Sequence, residues 1–258
     1  MADLAIIGGT GLTTLKNLEI TRREVMRTPY GEPSGPLLHG KLCHQDVIFI
    51  PRHGRGHTIP PHMVNYRANI WALREAGVRN VIAVAAVGGI HEDMQPGRLA
   101  IPDQIIDYTW SRRHTYFESE LSEVTHTDFT RPYSEGIRTL LITSARELDM
   151  QAVESGVYAA TQGPRLETAA EIDRLERDGC SIVGMTGMPE AALARELGLD
   201  YAHCAVIANR AAGRGTGAIS MADIEQNLAS GMERVRCLLE TAIPNLCSKV
   251  ACGATDRA

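Results

Sequence analysis

Arg52 and His53 stand side by side at the start of RHGRGHTIPPH, residues 52–62, directly after the apolar run VIFIP at 47–51. A guanidinium offers a planar fork of N–H donors and an imidazole adds one more, a pairing suited to an oxyanion. The three histidines at 53, 57 and 62 also raise the question of a metal. Glycines at 54 and 56 break any helical pairing of those histidines, no acid or cysteine lies nearby, and Arg52 and Arg55 repel a cation. A solvated basic loop is the alternative to an anion site.

Three further segments end apolar runs in small or hydroxyl-bearing residues. GGTG at 8–11 follows LAIIG and offers turned backbone N–H groups and the Thr10 hydroxyl. Thr14 stands where a dinucleotide fingerprint needs its third glycine, and no Lys-Ser/Thr pair makes a P-loop. Taken alone, this is as good a tight turn as a phosphate site. VAAVGG at 84–89 has side chains small enough for a ligand to lie along the backbone, though close helix packing asks for the same residues. MTGMPE at 185–190 places Thr186 before a helix, where a threonine ordinarily caps. Ligands of α/β sheets sit outside strand carboxyl ends. Thr10, Arg52, His53 and Thr186 together therefore read as a site for a small dianion such as inorganic phosphate. A fifth run, HCAVIANRAAGRG at 203–215, ends in the carboxamide Asn209.

The elements that must position these residues are legible in outline. Strands are expected at 4–8, 47–51 and 81–89 and through the AVIAN run, each apolar enough to be covered on both faces. Helices are expected at 64–76, 134–148, 168–178, 188–197 and 220–243. Tyr66, Ile70 and Leu73 form one helical stripe, Gly77 a stop, and Ser220 with Asp223 a capping pattern. This alternation predicts an α/β fold with helices on both faces of a sheet. Residues 1–246 read as one domain, and 247–258 as a mobile tail without periodicity. The polar stretch 109–133 shows no clear element and is expected to be a lid or a subunit contact.

The 258 residues carry a net charge of −5, which gives no basic field for nucleic acid. No run reaches the ~18 apolar residues of a membrane span. The six cysteines lack a C-x-x-C pair and read as reduced thiols in a cytoplasmic protein.

IGGTG, RHGRGHTIPPHMVNYRANIWALREAG, QGPRLETAAEI and MTGMPEAALARELG together resemble the trimeric purine nucleoside phosphorylase family, nearest its methylthioadenosine phosphorylase branch. The likeness runs from about residue 3 to 246. It implies a mixed central β-sheet, a distorted barrel flanked by helices, assembled as a homotrimer. It implies phosphorolysis of a nucleoside, with inorganic phosphate as co-substrate and no other cofactor or metal. Matching motifs put Thr10, Arg52, His53, Ala85, Ala86 and Thr186 at the phosphate, Met185 against the sugar and Leu166 over the base. Asn209, Arg210 and Ala211 fall in the base-reading segment, with Asn209 and His53 nearest the chemistry. His126 matches a histidine that reaches the neighbouring subunit's site, and Glu167, beside the stacking position, is a candidate for tuning specificity.

Two departures bear on the substrate. The methylthioadenosine branch carries two aspartates where this chain has Asn209 and Ala211. A carboxylate only accepts hydrogen bonds, whereas a carboxamide also donates, which suits O6 or N7 of a 6-oxopurine. At the other end, Met221 stands where inosine enzymes place a histidine near the 5′-hydroxyl, and a thioether suits a methylthio group. The expected reaction is phosphorolysis of 5′-methylthioinosine to hypoxanthine and a methylthioribose 1-phosphate. A methylthioadenosine phosphorylase, a general 6-oxopurine nucleoside phosphorylase and a non-catalytic nucleoside-binding protein are the alternatives.

Overall fold

The computed structural model describes residues 2–12, 15–119, 121–215, 217 and 220–253, with side chains through 246. The first half contributes β1 (Leu4–Gly8), β2 (Glu19–Glu24), β3 (Leu37–Leu42), β4 (Gln45–Pro51), α1 (Tyr66–Glu75), β5 (Asn80–Gly89), β6 (Leu99–Ala100) and β7 (Gln104–Asp107). The second half adds α2 (Glu135–Glu147), β8 (Ala152–Val153), β9 (Val157–Ala160), α3 (Ala169–Arg177), β10 (Ile182–Gly184), α4 (Gly187–Glu196), β11 (Asp200–Arg210) and α5 (Met221–Gly253). All five expected helices and all four expected strands form. The short strands β2, β3 and β6 to β9 were not expected, because they carry too few apolar residues to stand out as runs.

The sheet is mixed, in the order β2-β3-β4-β1-β5-β10-β9-β7, and it branches at β5. β5 pairs in parallel with β1 and, along its whole length, with β11. Its last residues pair antiparallel with β10, Val183 opposite Gly88. β1 and β10 share one edge of β5, at its beginning and its end, while β11 takes the other, and the small residues of VAAVGG let these neighbours meet closely. α1 and α4 cover one face through Tyr66, Ile70, Leu73 and Leu193, and α2 and α5 cover the other through Leu141, Val235 and Leu239. Burying apolar surface on both faces stabilises by roughly 25 cal/mol per Å² removed from water.

Residues 247–253 continue α5 through Pro244, so the backbone there is helical. Helical backbone hydrogen bonds extend the element where periodicity has faded. The remainder of the expected tail, 254–258, lies outside the described residues. The stretch 109–133 forms no helix or strand among its described residues, as read. Its first part, however, is fastened down: Glu196 accepts from Thr115 Oγ1 and Tyr116 N, both at 2.7 Å, and Tyr116 Oη donates to Arg67 O. No described helix is long and apolar enough to cross a membrane.

Candidate active site

β1, β4, β5 and β11 run parallel, so their carboxyl ends share one side of the sheet. β10 runs back along β5, and continuing its register sets Met185 and Thr186 level with Ala86 and Ala85. A cavity of about 670 Å³ opens at this meeting point. Its walls include Thr10, His53, Ala85, Ala86 and Thr186 at one end. Leu166, Glu167, Met185, Asn209, Ala211 and Met221 also line it. Segments far apart in sequence thus converge as the motifs imply.

The end of the cavity expected to take an anion carries polar groups that the fold leaves facing it, hydroxyls from the threonines and a bare ring nitrogen from His53. Thr186 stands at the N-cap of α4, yet its side chain makes no capping bond, and its buried hydroxyl has no protein partner. A buried hydroxyl without a partner is costly, and a ligand oxygen would satisfy it. His53 Nδ1 lies 2.8 Å from Ile59 O, an arrangement that puts the proton on Nδ1 and leaves Nε2 bare. Burial first, and then the Arg52 charge, lower the His53 pKa to about 4, so the ring is neutral near pH 7. Thr10 Oγ1 is 3.0 Å from Nε2 of His57, which also lines the cavity.

Arg52 must be moved from the wall to the foundation. It is 0% exposed and absent from the cavity lining. Its Nε and Nη2 grip both carboxylate oxygens of Glu190 at 2.7 Å, and Nη1 donates to Val84 O at 2.9 Å. Tyr201 Oη adds a hydrogen bond to Glu190 at 2.9 Å. Desolvation opposes the Arg52 charge, but the Glu190 carboxylate outweighs it and drives the guanidinium pKa above its ordinary value. A Cβ on Gly9 would stand 2.8 Å from Arg52 Nη1 and 2.6 Å from Val84 O, so this turn needs glycine for close approach. Arg52 thereby braces β4 against α4 beneath the Gly9–Thr10 turn.

At the far end, a bulge between Ile207 and Asn209 in β11 turns the Asn209 side chain toward the cavity. One Nδ2 hydrogen goes to Arg210 O at 2.7 Å, leaving the other and Oδ1 available. Glu167 accepts from Thr161 Oγ1 at 2.6 Å, and a carboxylate has lone pairs to spare for a second donor.

A model of the phosphorylase superfamily matches residues 3–244. The chain belongs to the phosphorylase superfamily. It is 55% identical to a probable S-methyl-5′-thioinosine phosphorylase of Pseudomonas syringae pv. tomato, over 93% of this chain and 97% of that protein. It is 43% identical to a 6-oxopurine nucleoside phosphorylase of Pyrococcus furiosus, over 99% of this chain and 97% of that protein. Among solved structures, methylthioadenosine phosphorylase from Schistosoma mansoni in complex with adenine superposes with a TM-score of 0.92 at 30% identity, covering 96% and 93% of the two chains. The nucleoside phosphorylase fold and the transferase class implied by the motifs are both borne out.

Within this superfamily member, one further site residue needs relocation. Arg210 does not line the cavity: its guanidinium ties Ile90 O, His91 O and Met94 O on the opposite side. Consecutive strand residues point to opposite faces, so Asn209 facing the cavity sends Arg210 away. His126 is exposed and does not reach the cavity of its own chain. Conversely, sequence reading missed Ile59, Val87 and Ile224 as cavity walls. Ile224 lies three residues after Met221 on α5, a helical spacing that could have exposed it.

The neutral imidazoles have a consequence for stability. His203, wholly buried with Nε2 unpartnered, has its pKa lowered to about 3, first by burial and then by Arg52. Below an unfolded value of ~6.5 the unfolded chain takes up protons that folded His53 and His203 refuse. Stability is therefore full above that pH and falls as pH drops toward 4. The melting temperature should decrease from pH 7 to pH 5, and less steeply in His203→Gln. An identical decrease in wild type and variant would refute the assignment to His203.

Proposed function

We propose that the protein cleaves 5′-methylthioinosine by phosphorolysis, releasing hypoxanthine and 5-methylthioribose 1-phosphate. The observation that carries this reading is the company of Glu167 and Asn209 on one cavity whose far end holds the free Thr186 hydroxyl. A 6-oxopurine presents an N1–H donor beside the acceptors O6 and N7. Glu167 accepts from N1–H, and Asn209 donates toward O6 or N7. Adenine has a bare N1 that would face the carboxylate acceptor to acceptor, a mismatch costing roughly 1–3 kcal/mol. Met221 and half-buried Ile224 provide an apolar wall suited to a methylthio group, where a hydroxyl would lack a partner. The similarity to a probable S-methyl-5′-thioinosine phosphorylase supports the same choice.

Glycosidic cleavage passes through an oxocarbenium-like sugar. Thr10 and Thr186 donate to phosphate next to C1′, His53 Nε2 accepts from the remaining O–H of monohydrogen phosphate, Met185 packs against the sugar and Leu166 against the base. The bond to the purine nitrogen breaks as phosphate oxygen bonds to C1′, and the electron pair leaves on the purine, stabilised by Asn209 at N7 or O6. Inorganic phosphate is the co-substrate, and the reading requires no further cofactor.

The proposal includes a homotrimer working in the cytoplasm. Met221 is 64% and Leu166 47% exposed at the cavity mouth, apolar surface that a neighbouring subunit carrying His126 would cover. Free Cys43, Cys180, Cys204 and Cys237 fit a reducing compartment. Sedimentation should give a trimer, and an active monomer would sink that part of the reading.

The deciding experiment is a substrate panel of methylthioinosine, methylthioadenosine and inosine, with and without phosphate. Hypoxanthine release should require phosphate, with kcat/KM highest on methylthioinosine. Thr186→Val should raise the phosphate KM by roughly tenfold or more, one lost hydrogen bond to a charged group being worth ~1.5–3 kcal/mol, while the nucleoside KM stays close to wild type. Faster turnover of methylthioadenosine, or release without phosphate, would overturn the reading.

A further inference from the structure

We propose that Arg112 is the positioning residue of the active site: its guanidinium holds three separate cavity walls in register. The inference rests on the functional reading above for its activity measurements. Arg112 belongs to the segment 109–133, carries no part of the expected chemistry, and is nevertheless buried. Its Nη1 donates to Met185 O at 2.8 Å and Met188 O at 2.6 Å, at the start of α4 on either side of Thr186. Its Nη2 donates to Gln162 O at 2.8 Å and Thr161 O at 3.2 Å, and Nε to Gln162 Oε1 at 3.1 Å. Those residues begin the loop that carries Leu166 and Glu167. Nη1 also lies 3.4 Å from Tyr66 Oη, which donates to Pro61 O at 2.9 Å, and Pro61 lines the cavity.

Among the described residues, every hydrogen-bond partner of the Arg112 guanidinium is thus a carbonyl, an amide oxygen or a phenol, and none is a carboxylate. A buried guanidinium surrounded this way does not serve as half of an ion pair. Its planar fork fixes the directions of several carbonyls at once, which a point charge on a flexible stem cannot do. Turning the carbonyls of Met185 and Met188 toward Arg112 orients the loop whose Thr186 hydroxyl faces the anion corner. Turning those of Thr161 and Gln162 sets the loop that brings Glu167 to the base. A site works only while its supporting contacts hold it to within about half an ångström.

The test compares Arg112→Lys, Arg112→Met and Gln162→Leu with wild type. Arg112→Lys keeps the charge and loses the fork. It should raise both the phosphate and the methylthioinosine KM about tenfold or more while melting within a few degrees of wild type. Arg112→Met should be worse, and Gln162→Leu milder but in the same direction. Wild-type constants in Arg112→Lys would overturn the proposal, since a residue supplying only charge or bulk is rescued by lysine. If neither Arg112 variant folds, Gln162→Leu decides by the same split. Should the wild-type protein turn over none of the nucleosides, the functional reading fails separately. Arg112 is then judged by Trp110 fluorescence anisotropy in a Trp71→Phe background, which should fall in Arg112→Lys if the segment is released. Unchanged anisotropy would count against the role.

Discussion

Glu190→Ala should lower the melting temperature by roughly 6–20 °C, because removing one partner of a buried ion pair costs ~3–5 kcal/mol and each kcal/mol moves a chain of this size ~2–4 °C. Both groups are 0% exposed, so the Arg52 charge would be left without its carboxylate and with no access to water. Arg52→Ala should be comparably destabilising from the other side, leaving Glu190 with the Tyr201 hydroxyl. Replacing both, as Arg52→Met with Glu190→Leu, should recover much of the loss, since an apolar pair of similar volume avoids both desolvation costs. Activity should not recover with stability in that double variant, because the brace between β4 and α4 that aligns His53 with Thr186 would be gone. Thermal unfolding of the four proteins is the measurement. Single variants melting within a degree or two of wild type would show that water or a rearranged partner compensates the charge.

Asn209→Asp combined with Ala211→Asp should move preference from methylthioinosine toward methylthioadenosine. Both changes present acceptors at the end of the cavity expected to face position 6 of the base, which favours an exocyclic amine and opposes a carbonyl. Asn209→Asp alone should reduce kcat/KM on the oxo-substrate by roughly tenfold, the equivalent of one buried hydrogen bond of ~1.4 kcal/mol. Recovery on the amino-substrate should be incomplete. Ala211 is 3% exposed, so a carboxylate there lacks solvent, and Arg210, committed to the carbonyls of residues 90, 91 and 94, is not free to pair with it. Glu167 also remains to oppose the bare N1 of adenine. The ratio of the two efficiencies in wild type and double variant decides the matter. A ratio that stays put would mean that base selection rests on Glu167 and not on the Asn209 segment.

The sequence by itself determined the element plan and most of the site's outline. Apolar runs ending in GGTG and RHG, with MTG before a helix, are strands whose ends must gather on one side of the sheet. That logic grouped Thr10, Arg52, His53 and Thr186, and the family resemblance added Ala85, Ala86 and Asn209, all but Arg52 lining one cavity. Patterning carries this much because burial periodicity and turn residues are local properties of the chain. Tertiary structure decided what each polar group is free to do. Arg52 and His53 are adjacent in sequence, yet one is spent on Glu190 and the other lines the cavity. Asn209 and Arg210 divide in the same way across the pleat of β11. Arg112 and Arg113 were indistinguishable as letters, although one is buried among carbonyls and the other is 75% exposed beside Glu118. The difference lies in partners 46 to 138 positions away, such as Tyr66, Gln162, Met185 and Glu190. A donor's availability depends on which acceptors the folded chain brings within 3 Å of it, and no local pattern encodes that distance.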